Sequence, residues 1–596
     1  MKIKNVYKNL LLSGCAAMLT GVTSCDDFLT LYPTSQIVEE QFWEDKTDLM
    51  SAVGGCYYQM VQSSMVERYF VWGEARSDNF ELKSEDWTIM KDLMNANLLE
   101  TSSFFDWSPF YTCINYCNKV LQHGPDIVER DPAFTESDWG PLKAEMLGIR
   151  SLCYFYLLRS YGDVPYVTQS VSTDEEAKAQ KVAQTPVAEI LDNIITDLDS
   201  VKDDAMIEME TNTFTKGRMT RKALYTLLAD VSLWRAAMNA SYKDSAEAQA
   251  MSKADYERVI TCCDYVINEM IREKKENGGI SGGISIGGST GSSPYPLIMN
   301  PSGSMFTSRS YQEIFGIGNS SESIFELQFD GSSNVNTTFV GTQDAAGYFG
   351  RGGGLLFSPG KLYVSTIFQS PEETQDPTAH VFSKTDIRQW ETVQYQGSGQ
   401  KEFPFIKYCP TTVTHEVDET QAARGFLKEA DYMGMRGLSC DANWIFYRLS
   451  DVMLMKAEAI SQLYPEDTEK LAEGFGLVNA IYERSNPTLP DADKLVATNY
   501  ATGATLYAFV MRERQREFVG EGKRWFDLVR MALRDGRTRD MLTLLLKKYS
   551  ANQSAVNAKL TPMAALYSPV YREERKVNPN LKQNEAWAKD ETIERN

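Results

Sequence analysis

The residue types that most often carry enzyme chemistry are sparse in this sequence. Its three histidines, His123, His380 and His415, are widely separated, and no HExxH motif is present. The run GGSTG at 287–291 fits the G-x-S-x-G pattern, but it lies in a Gly/Ser-rich stretch without the strand and helix that a serine nucleophile needs around it. We therefore predict that the protein is not an enzyme and has no catalytic residues and no metal ligands.

Carboxylate pairs are common because the chain contains 81 acidic residues, so a pair alone is no evidence for glycosidase chemistry. Glu513 and Glu517 lie four residues apart on one face of a predicted helix, beside Arg512 and Arg516. This spacing favours a salt-bridged scaffold helix over an active site.

Aromatic residues form 11% of the chain, and they suggest binding rather than catalysis. A sugar presents a flat C–H face and a rim of hydroxyls, so its binding site needs exposed aromatic rings edged by polar groups. Most aromatic residues fall on predicted helical faces and are expected in the core, whereas those in loops are better candidates. The candidate ligand-binding residues are Arg76, Asp78, Asn79, Trp87, Trp107, Tyr348, Phe349 and Trp390.

The N-terminus has the pattern of an export signal. Residues 1–24 contain three lysines and no acidic residue, with an apolar stretch over residues 10–22, which is typical of a signal peptide. The small residues before Cys25 resemble the lipobox of bacterial lipoproteins, in which the cysteine receives a diacylglycerol and becomes residue 1. We predict a covalent lipid on Cys25 and no other cofactor. A soluble exported protein cleaved nearby is the alternative.

The net charge is −21, and removal of the three lysines of residues 1–24 makes the mature chain −24. Such a surface argues against nucleic acid and anionic lipid as partners. The pairs Cys113/Cys117 and Cys262/Cys263 have no partner cluster suited to zinc, and we predict small buried thiols. The alternative is an occasional disulfide bond, because exported proteins fold in an oxidising compartment.

Apolar residues at helical spacing dominate most of the chain. A long helix is predicted to end at Gly162, and another to begin with a Thr185 cap and Pro186 in its first turn. The other predicted helical runs cover 48–62, 108–122, 217–239, 253–273, 443–464, 472–486 and 506–536. Consecutive helix pairs that cannot bury a face alone are expected to stack, as in tetratricopeptide (TPR) arrays.

The composition changes near residue 275. From there to about residue 443 the chain is rich in Gly, Ser, Thr, Asn and aromatic residues, and short strands are predicted at 323–329 and 402–409. This pattern indicates a long, loop-dominated insertion between two helical regions.

Several motifs, in order, resemble the SusD/RagB outer-membrane lipoproteins of Bacteroidetes. They are CDDFLTLYPTSQIVEEQFW from Cys25, WGEARSDNF at 72–80, EMLGIRSLCYFYLLRSYGDVP at 145–165, GRMTRKALYTLLADVSLWRA at 217–236, YRLSDVMLMKAEA at 447–459 and RERQREFVGEGKRWFDLVR at 512–530.

The resemblance implies a mainly α fold. It has a TPR-like scaffold of about four helix pairs and a loop-rich, minor-β insertion that contributes to the ligand site. The expected regions are a signal peptide (1–24), a lipid-anchored tether (25–41), an N-terminal helical region (42–273), the insertion (274–442) and a C-terminal helical region (443–596). The loops around the S-D-N element and the insertion are expected to converge.

The implied function is a surface-exposed, lipid-anchored outer-membrane protein. It would bind oligosaccharide and deliver it to a SusC-like TonB-dependent transporter, acting as a lid without catalysis. Three alternatives stay open: the same architecture binding peptides, a lipid-anchored hydrolase, and a TPR adaptor without a small ligand.

Overall fold

The computed structural model describes residues 42–82, 87–207, 216–276, 289–290, 293–332, 334–340, 347–349, 361–368, 381–394, 404–408, 412–428, 430–433, 441–549 and 551–588. Cys25, the tether and most of the Gly/Ser-rich run lie outside these residues. In the described part of the chain, no helix is long and apolar enough to span a membrane.

Helices account for most of the described N-terminal half. They are α1 (Lys46–Met60), α2 (Ser63–Phe70), α3 (Thr88–Met94), α4 (Ser108–Arg130), α5 (Glu136–Tyr161), α6 (Asp174–Ala179), α7 (Val187–Val201), α8 (Arg221–Ala240) and α9 (Ala246–Glu276). A π-helical turn, Val71–Ala75, directly continues α2.

Nine helices follow in the described part of the C-terminal half. They are α10 (Thr337–Val340), α11 (Arg388–Thr392), α12 (Leu449–Leu463), α13 (Thr468–Ser485), α14 (Gly503–Glu517), α15 (Arg524–Asp535), α16 (Arg539–Leu545), α17 (Gln553–Leu560) and α18 (Arg572–Val577).

The described strands are short and form small antiparallel sheets. They are β1 (Phe80–Leu82), β2 (Val164–Pro165), β3 (Gln184–Thr185), β4 (Ser289–Thr290), β5 (Pro301–Ser302), β6 (Met305–Thr307), β7 (Ser323–Leu327), β8 (Leu362–Val364), β9 (Thr412–Glu416), β10 (Asp431–Met433) and β11 (Trp444–Arg448). The pairs are β1–β8, β2–β3, β4–β5 and β7–β11, and β9 lies between β6 and β10.

Local sequence explains the ends of α5. The Asp138 carboxylate accepts hydrogen bonds from the Thr135 N–H (3.0 Å) and hydroxyl (2.7 Å) at its first turn. The helix ends at Gly162, whose φ of 75° favours glycine. The predicted stop at Gly162 is therefore confirmed.

The predicted Thr185 cap is wrong. Thr185 pairs with Val164 in the β2–β3 ladder, so it does not cap the N-terminus of α7. The first N–H of that helix, from Val187, instead donates to the Asp163 carboxylate at 2.8 Å. A side chain from the preceding helix–strand corner thus replaces the local cap.

Two other boundaries also differ from the prediction. The run 443–464 was expected to be helical, but Trp444–Arg448 form β11, because β7 supplies a partner strand. The run 506–536 breaks between α14 and α15, where Gly520 and Gly522 have φ of 79° and 70°. The strand predicted at 323–329 is confirmed as β7, whereas the described part of 402–409 makes only isolated bridges.

The helices pack in series on one another. α1 packs on α4, α4 on α5, α5 on α7, α8 on α9, α9 on α12, and α12 on both α13 and α14. One hydrophobic core runs through both helical regions and into the insertion. The mainly α, TPR-like fold is confirmed, and Cys113, Cys117, Cys262 and Cys263 are buried free thiols as predicted.

Candidate functional site

The S-D-N loop and the insertion meet at a two-stranded sheet. β1 follows the loop directly and pairs with β8 of the insertion, in the register Phe80 opposite Val364. The Ser365 N–H also donates to the Asn79 carbonyl at 2.8 Å. The expected convergence of these two regions is therefore confirmed.

An aromatic surface lies next to this sheet. The Trp87 ring is half-buried and lies 5.1 Å from the Tyr348 ring at an interplanar angle of 55°. The Lys361 ammonium lies 4.9 Å from the Trp87 ring centroid. The Tyr348 hydroxyl donates to the Glu67 carboxylate at 2.6 Å. Trp87, Tyr348, Lys361 and Glu67 are called the Trp87 surface below.

The charges of the Trp87 surface suit neutral, hydroxyl-rich ligands. Burial and the neighbouring Glu67 carboxylate hold the pKa of Tyr348 well above its usual range, so the hydroxyl stays a donor. The Glu67 side chain is 32% exposed and retains acceptor capacity towards solvent. A partly open indole face, with an ammonium and a carboxylate close by, can stack on a sugar and bind its hydroxyls.

Phe349 lies beneath this surface and does not form part of it. Its ring centroid is 4.4 Å from that of Phe405, 5.2 Å from Phe70 and 5.6 Å from Phe80. Phe349 and Tyr348 are both buried, so the exposed position expected for these two rings is wrong. Tyr348 contacts both Trp87 and Phe70, and Phe349 packs on Phe70 behind it.

Arg76 is buried as well. Its two terminal nitrogens donate to the carbonyls of Leu566 and Ala565, each at 2.8 Å, and its guanidinium lies 4.0 Å from the Trp525 ring centroid. Its donors are thus directed to backbone carbonyls near the C-terminus. The expected exposure of Arg76 is wrong, and the residue fixes the loop to the scaffold.

Asp78 and Asn79 have structural partners too. Asp78 accepts two hydrogen bonds from Arg524, at 2.8 and 2.9 Å, and one from Gln515 at 3.0 Å. Asn79 donates to Glu74 at 2.7 Å and accepts from Gln515 at 3.1 Å. Both are buried, so the structure corrects the expectation that these loop residues are presented to solvent.

Trp107 and Trp390 lie inside the protein. Trp107 packs edge-on against Tyr111 and Tyr161, with ring centroids 5.8 and 5.0 Å away. Trp390 belongs to a small separate core of the insertion, where its ring is 5.8 Å from that of His415. Neither ring is exposed in this conformation, and Trp87 is the predicted candidate whose ring reaches solvent.

The sequence analysis did not identify a cleft of about 360 Å³ in the insertion, apart from the Trp87 surface. Amide side chains form a chain along it: Asn319 donates to Gln328 at 2.7 Å, and Asn443 accepts from the Phe329 N–H at 2.9 Å. Behind it, burial raises the pKa of Glu326 to about 7. The dense Asn and Asp content of 330–336 was the available signal.

The predicted scaffold role of α14 is confirmed. Glu513 and Glu517 are fully buried, and Arg388 of the insertion donates to them at 2.7 and 2.8 Å. Burial opposes ionisation of Glu517, but the neighbouring arginines hold its pKa well below its usual range. We call this cluster the buried ion-pair network; its members are Glu322, Asp386, Arg388, Lys407, Arg448, Arg484, Glu513, Arg516, Glu517 and Glu521.

The protein is thus a mainly α scaffold of stacked helix pairs that carries a loop-rich insertion, with an aromatic surface where the two meet. Two family models match this chain in succession. One, described as "Starch-binding associating with outer membrane", matches residues 27–233, and the other, described as "SusD family", matches residues 321–587. The chain belongs to the SusD/RagB family, a family of binding proteins, and is located at the outer membrane.

The individual relatives below are distant, but the similarity covers most of their length. SusD-like protein P38 of Formosa agariphila is 23% identical over 537 residues, covering 88% of this chain and 92% of that protein. A SusD superfamily protein of Bacteroides vulgatus superposes with a TM-score of 0.61 at 19% identity, covering 92% of this chain and 100% of the other. NanU of B. fragilis gives 0.59 at 18% identity, covering 94% and 100%. These solved structures show a shared fold.

Proposed function

We propose that the protein binds a glycan at the Trp87 surface and passes it, unmodified, to a SusC-like TonB-dependent transporter. The observation that carries the proposal is the half-buried Trp87 ring, supported by Tyr348 and flanked by Lys361 and Glu67. The match to a family model described as starch-binding supports a glycan as the ligand class.

The geometry favours stacking with polar contacts at the edge. The Trp87 ring can cover one face of a pyranose, while Lys361 donates to a hydroxyl and Glu67 accepts from one. Tyr348 packs against the Trp87 ring and limits its movement, which lowers the ordering cost on binding. Nothing in this arrangement pairs an acid with a nucleophile across a scissile bond, so the proposed role is binding without cleavage.

We also propose that a lipid on Cys25 anchors the protein. The described chain begins at Phe42, and residues 26–41 can span roughly 50 Å when extended. That reach would allow the body to move as a hinged lid over a transporter while it stays attached. Cys25→Ala is expected to move the protein into the soluble fraction with glycan binding intact. Membrane retention of this variant would contradict the anchor.

Affinity electrophoresis in gels that contain starch, xylan or pectin tests the binding proposal. We expect at least one polysaccharide to retard the wild-type protein, and Trp87→Ala to weaken that retardation about tenfold. Trp587→Ala is the matched control, since Trp587 is also half-buried but packs near Tyr567. Equal retardation of Trp87→Ala and the wild type would overturn the site, and release of reducing sugar would overturn the non-catalytic role.

The transporter proposal has a separate test. Purification of the lipid-anchored wild-type protein in mild detergent is expected to recover a large TonB-dependent barrel in equal amount. Recovery of the protein alone at every detergent concentration tested would contradict a stable partnership.

A further inference from the structure

Four buried thiols converge where three helices of the N-terminal helical region pack together. They are Cys56 of α1, Cys113 and Cys117 of α4, and Cys153 of α5, and all four are free and buried. α4 packs on both α1 and α5, so it can bring its two cysteines to each neighbour. We call these four residues the thiol cluster. A buried cysteine packs like a small apolar residue but keeps a sulfur that can be oxidised.

The contacts within the thiol cluster cross both helix interfaces. The Cys56 thiol hydrogen-bonds with Cys117, and the Cys113 thiol hydrogen-bonds with Cys153 and with Cys117. The Cys113 thiol also donates weakly to the Cys56 carbonyl, with 3.8 Å between sulfur and oxygen. Sulfur atoms of neighbouring helices are thus within hydrogen-bonding distance of one another.

Helix geometry decides which of these pairs can become disulfides. Cys113 and Cys117 lie four residues apart on α4, a spacing at which Cβ atoms are about 5–6 Å apart. A disulfide needs Cβ atoms roughly 3.5–4.5 Å apart, so this pair cannot bridge without distorting the helix. The other hydrogen-bonded pairs, Cys56 with Cys117 and Cys113 with Cys153, use each thiol once.

Cys117 is the most acidic thiol of the cluster. Burial opposes its ionisation, but hydrogen bonds with Cys113 and Cys56, and then the charge of Arg150, hold the pKa of Cys117 well below its usual range. Arg150 also pairs with Asp197 at 2.7 Å, and the two thiol hydrogen bonds contribute more than its charge. A thiolate is the form that attacks a disulfide, so Cys117 is suited to be the attacking sulfur.

We propose that the thiol cluster is oxidised in the exported protein to two disulfides, Cys56–Cys117 and Cys113–Cys153, which join α4 to α1 and to α5. The protein is located at the outer membrane, and proteins that leave the bacterial cytoplasm fold where disulfides form and persist. The proposal concerns the scaffold and does not rest on glycan binding.

The oxidant is a disulfide-bearing protein of that compartment, and each bridge forms by two exchange steps. The Cys56 thiolate attacks the oxidant's disulfide before α1 is packed, which gives a mixed disulfide and one oxidant thiol. As α4 packs, the Cys117 thiolate attacks the Cys56 sulfur and releases the oxidant's second thiol. Two S–H bonds of the chain are replaced by one S–S bond, and two electrons and two protons pass to the oxidant. The second bridge forms in the same way.

The first bridge closes the part of the chain that carries the Trp87 surface. Glu67, the S-D-N loop and Trp87 all lie between Cys56 and Cys117. A disulfide stabilises mainly by restricting the unfolded chain, and more so when it closes a long loop. Reduction is therefore expected to lower the melting temperature by a few degrees.

Differential alkylation of the wild-type protein tests the proposal. Cells that export the protein are lysed directly into urea and iodoacetamide, so burial protects no thiol, and the sample is then reduced and labelled with N-ethylmaleimide. We expect the second label on all four cysteines of the cluster and the first label on Cys262 and Cys263, which are also buried. First label on any of the four as complete as on Cys262 would mean that this thiol stays reduced, and would overturn the proposal.

Single variants assign the pairs. Cys56→Ala should move Cys117 alone to the first label, and Cys153→Ala should do the same for Cys113. Release of Cys113 by Cys56→Ala would overturn the assigned pairing. Cys263→Ala is the matched control, since it removes a buried thiol from α9, and it should leave the labelling of the cluster unchanged.

Melting temperatures give an independent check. A reductant should lower the melting temperature of the wild type and leave that of Cys56→Ala/Cys153→Ala unchanged. In the double variant, the two thiols that remain in the cluster lie on one helix and cannot bridge. An equal shift in both proteins would place the reductant's effect outside the cluster and overturn its stabilising role.

Discussion

The insertion is held to the two helical regions by different chemistry. Towards the C-terminal region, Arg388 and Lys407 enter the buried ion-pair network around Glu517 and Glu521. Towards the N-terminal region, Tyr348 and Phe349 pack their rings against Phe70 of α2. Each attachment includes a short antiparallel strand pair, but only the C-terminal one contains fully buried ion pairs, whereas the N-terminal one is aromatic and ends at a half-buried tryptophan.

The two attachments therefore suit different roles: one holds the insertion in place, and the other also offers a surface for a ligand. An ion pair in a dry interior has a fixed geometry, and removal of one member leaves an uncompensated charge. Packed aromatic rings tolerate small shifts relative to one another. A ring at the edge of such a cluster can offer its free face to a ligand. The ionic side therefore suits a permanent joint, whereas the aromatic side combines a joint with the Trp87 surface.

The largest expected effect comes from the ionic side. Glu517→Leu removes the carboxylate that Arg388, Arg448 and Arg484 share, and we expect it to lower the free energy of unfolding by about 3–5 kcal/mol. Urea denaturation measures this loss. Glu573→Leu, which removes a carboxylate 48% exposed on α18, is the control and should cost less than about 1 kcal/mol. Similar small losses for both variants would refute a cooperative network.

A pH series distinguishes ion-paired from lone buried carboxyls. Burial raises the pKa of Glu326 to about 7, above its value in the unfolded chain, so its protonated form is favoured in the fold. The stability that this group contributes is present below about pH 4.3 and is lost as the pH rises to about 7. Glu326→Gln should therefore lack a loss of roughly 3 kcal/mol that the wild type shows over this range.

The paired carboxylate titrates in the opposite sense. The pKa of Glu517 lies below its unfolded value, so its contribution is present above about pH 4.3 and is lost as the pH falls. Unfolding midpoints measured from pH 3 to pH 8 (about five points) should resolve both trends. Parallel curves for the wild type and Glu326→Gln would contradict the raised pKa.

The smallest expected effect is on the aromatic side. Phe349→Leu keeps an apolar side chain of similar reach but loses the ring contacts with Phe70, Phe80 and Phe405. We expect the free energy of unfolding to fall by about 1 kcal/mol, with polysaccharide retardation nearly unchanged. A loss as large as that of Glu517→Leu would mean that the two attachments are equally rigid, and the comparison would fail.

Sequence alone predicted the helices whose signals are local. α5 has its capping residues, its apolar spacing and Gly162 within one stretch. β11 was misassigned because its strand conformation depends on β7, more than 100 residues earlier. The predicted Thr185 cap was wrong for the same reason. The N–H of Val187 donates instead to the carboxylate of Asp163, which precedes β2.

The sequence predicted where the candidate site lies, but not which of its residues are exposed. The S-D-N loop and the insertion do meet, as the motif order indicated, and Trp87 lies at their junction. Burial of Arg76 and Asp78 could not be read from the sequence, because their partners Leu566 and Arg524 lie more than 440 residues away. A polar loop residue looks the same in sequence whether it faces solvent or a distant arginine.

These distant partners also bear on the order in which the chain folds. The Glu74 carboxylate accepts hydrogen bonds from the N–H groups of Gly520 and Lys523, both at 3.2 Å, in the break between α14 and α15. Residues 71–79 can complete their bonding only after the last part of the chain is available. Contacts of such long sequence separation form slowly. The loop at residues 71–79 therefore completes its fold only after residues 520–523 have been synthesised.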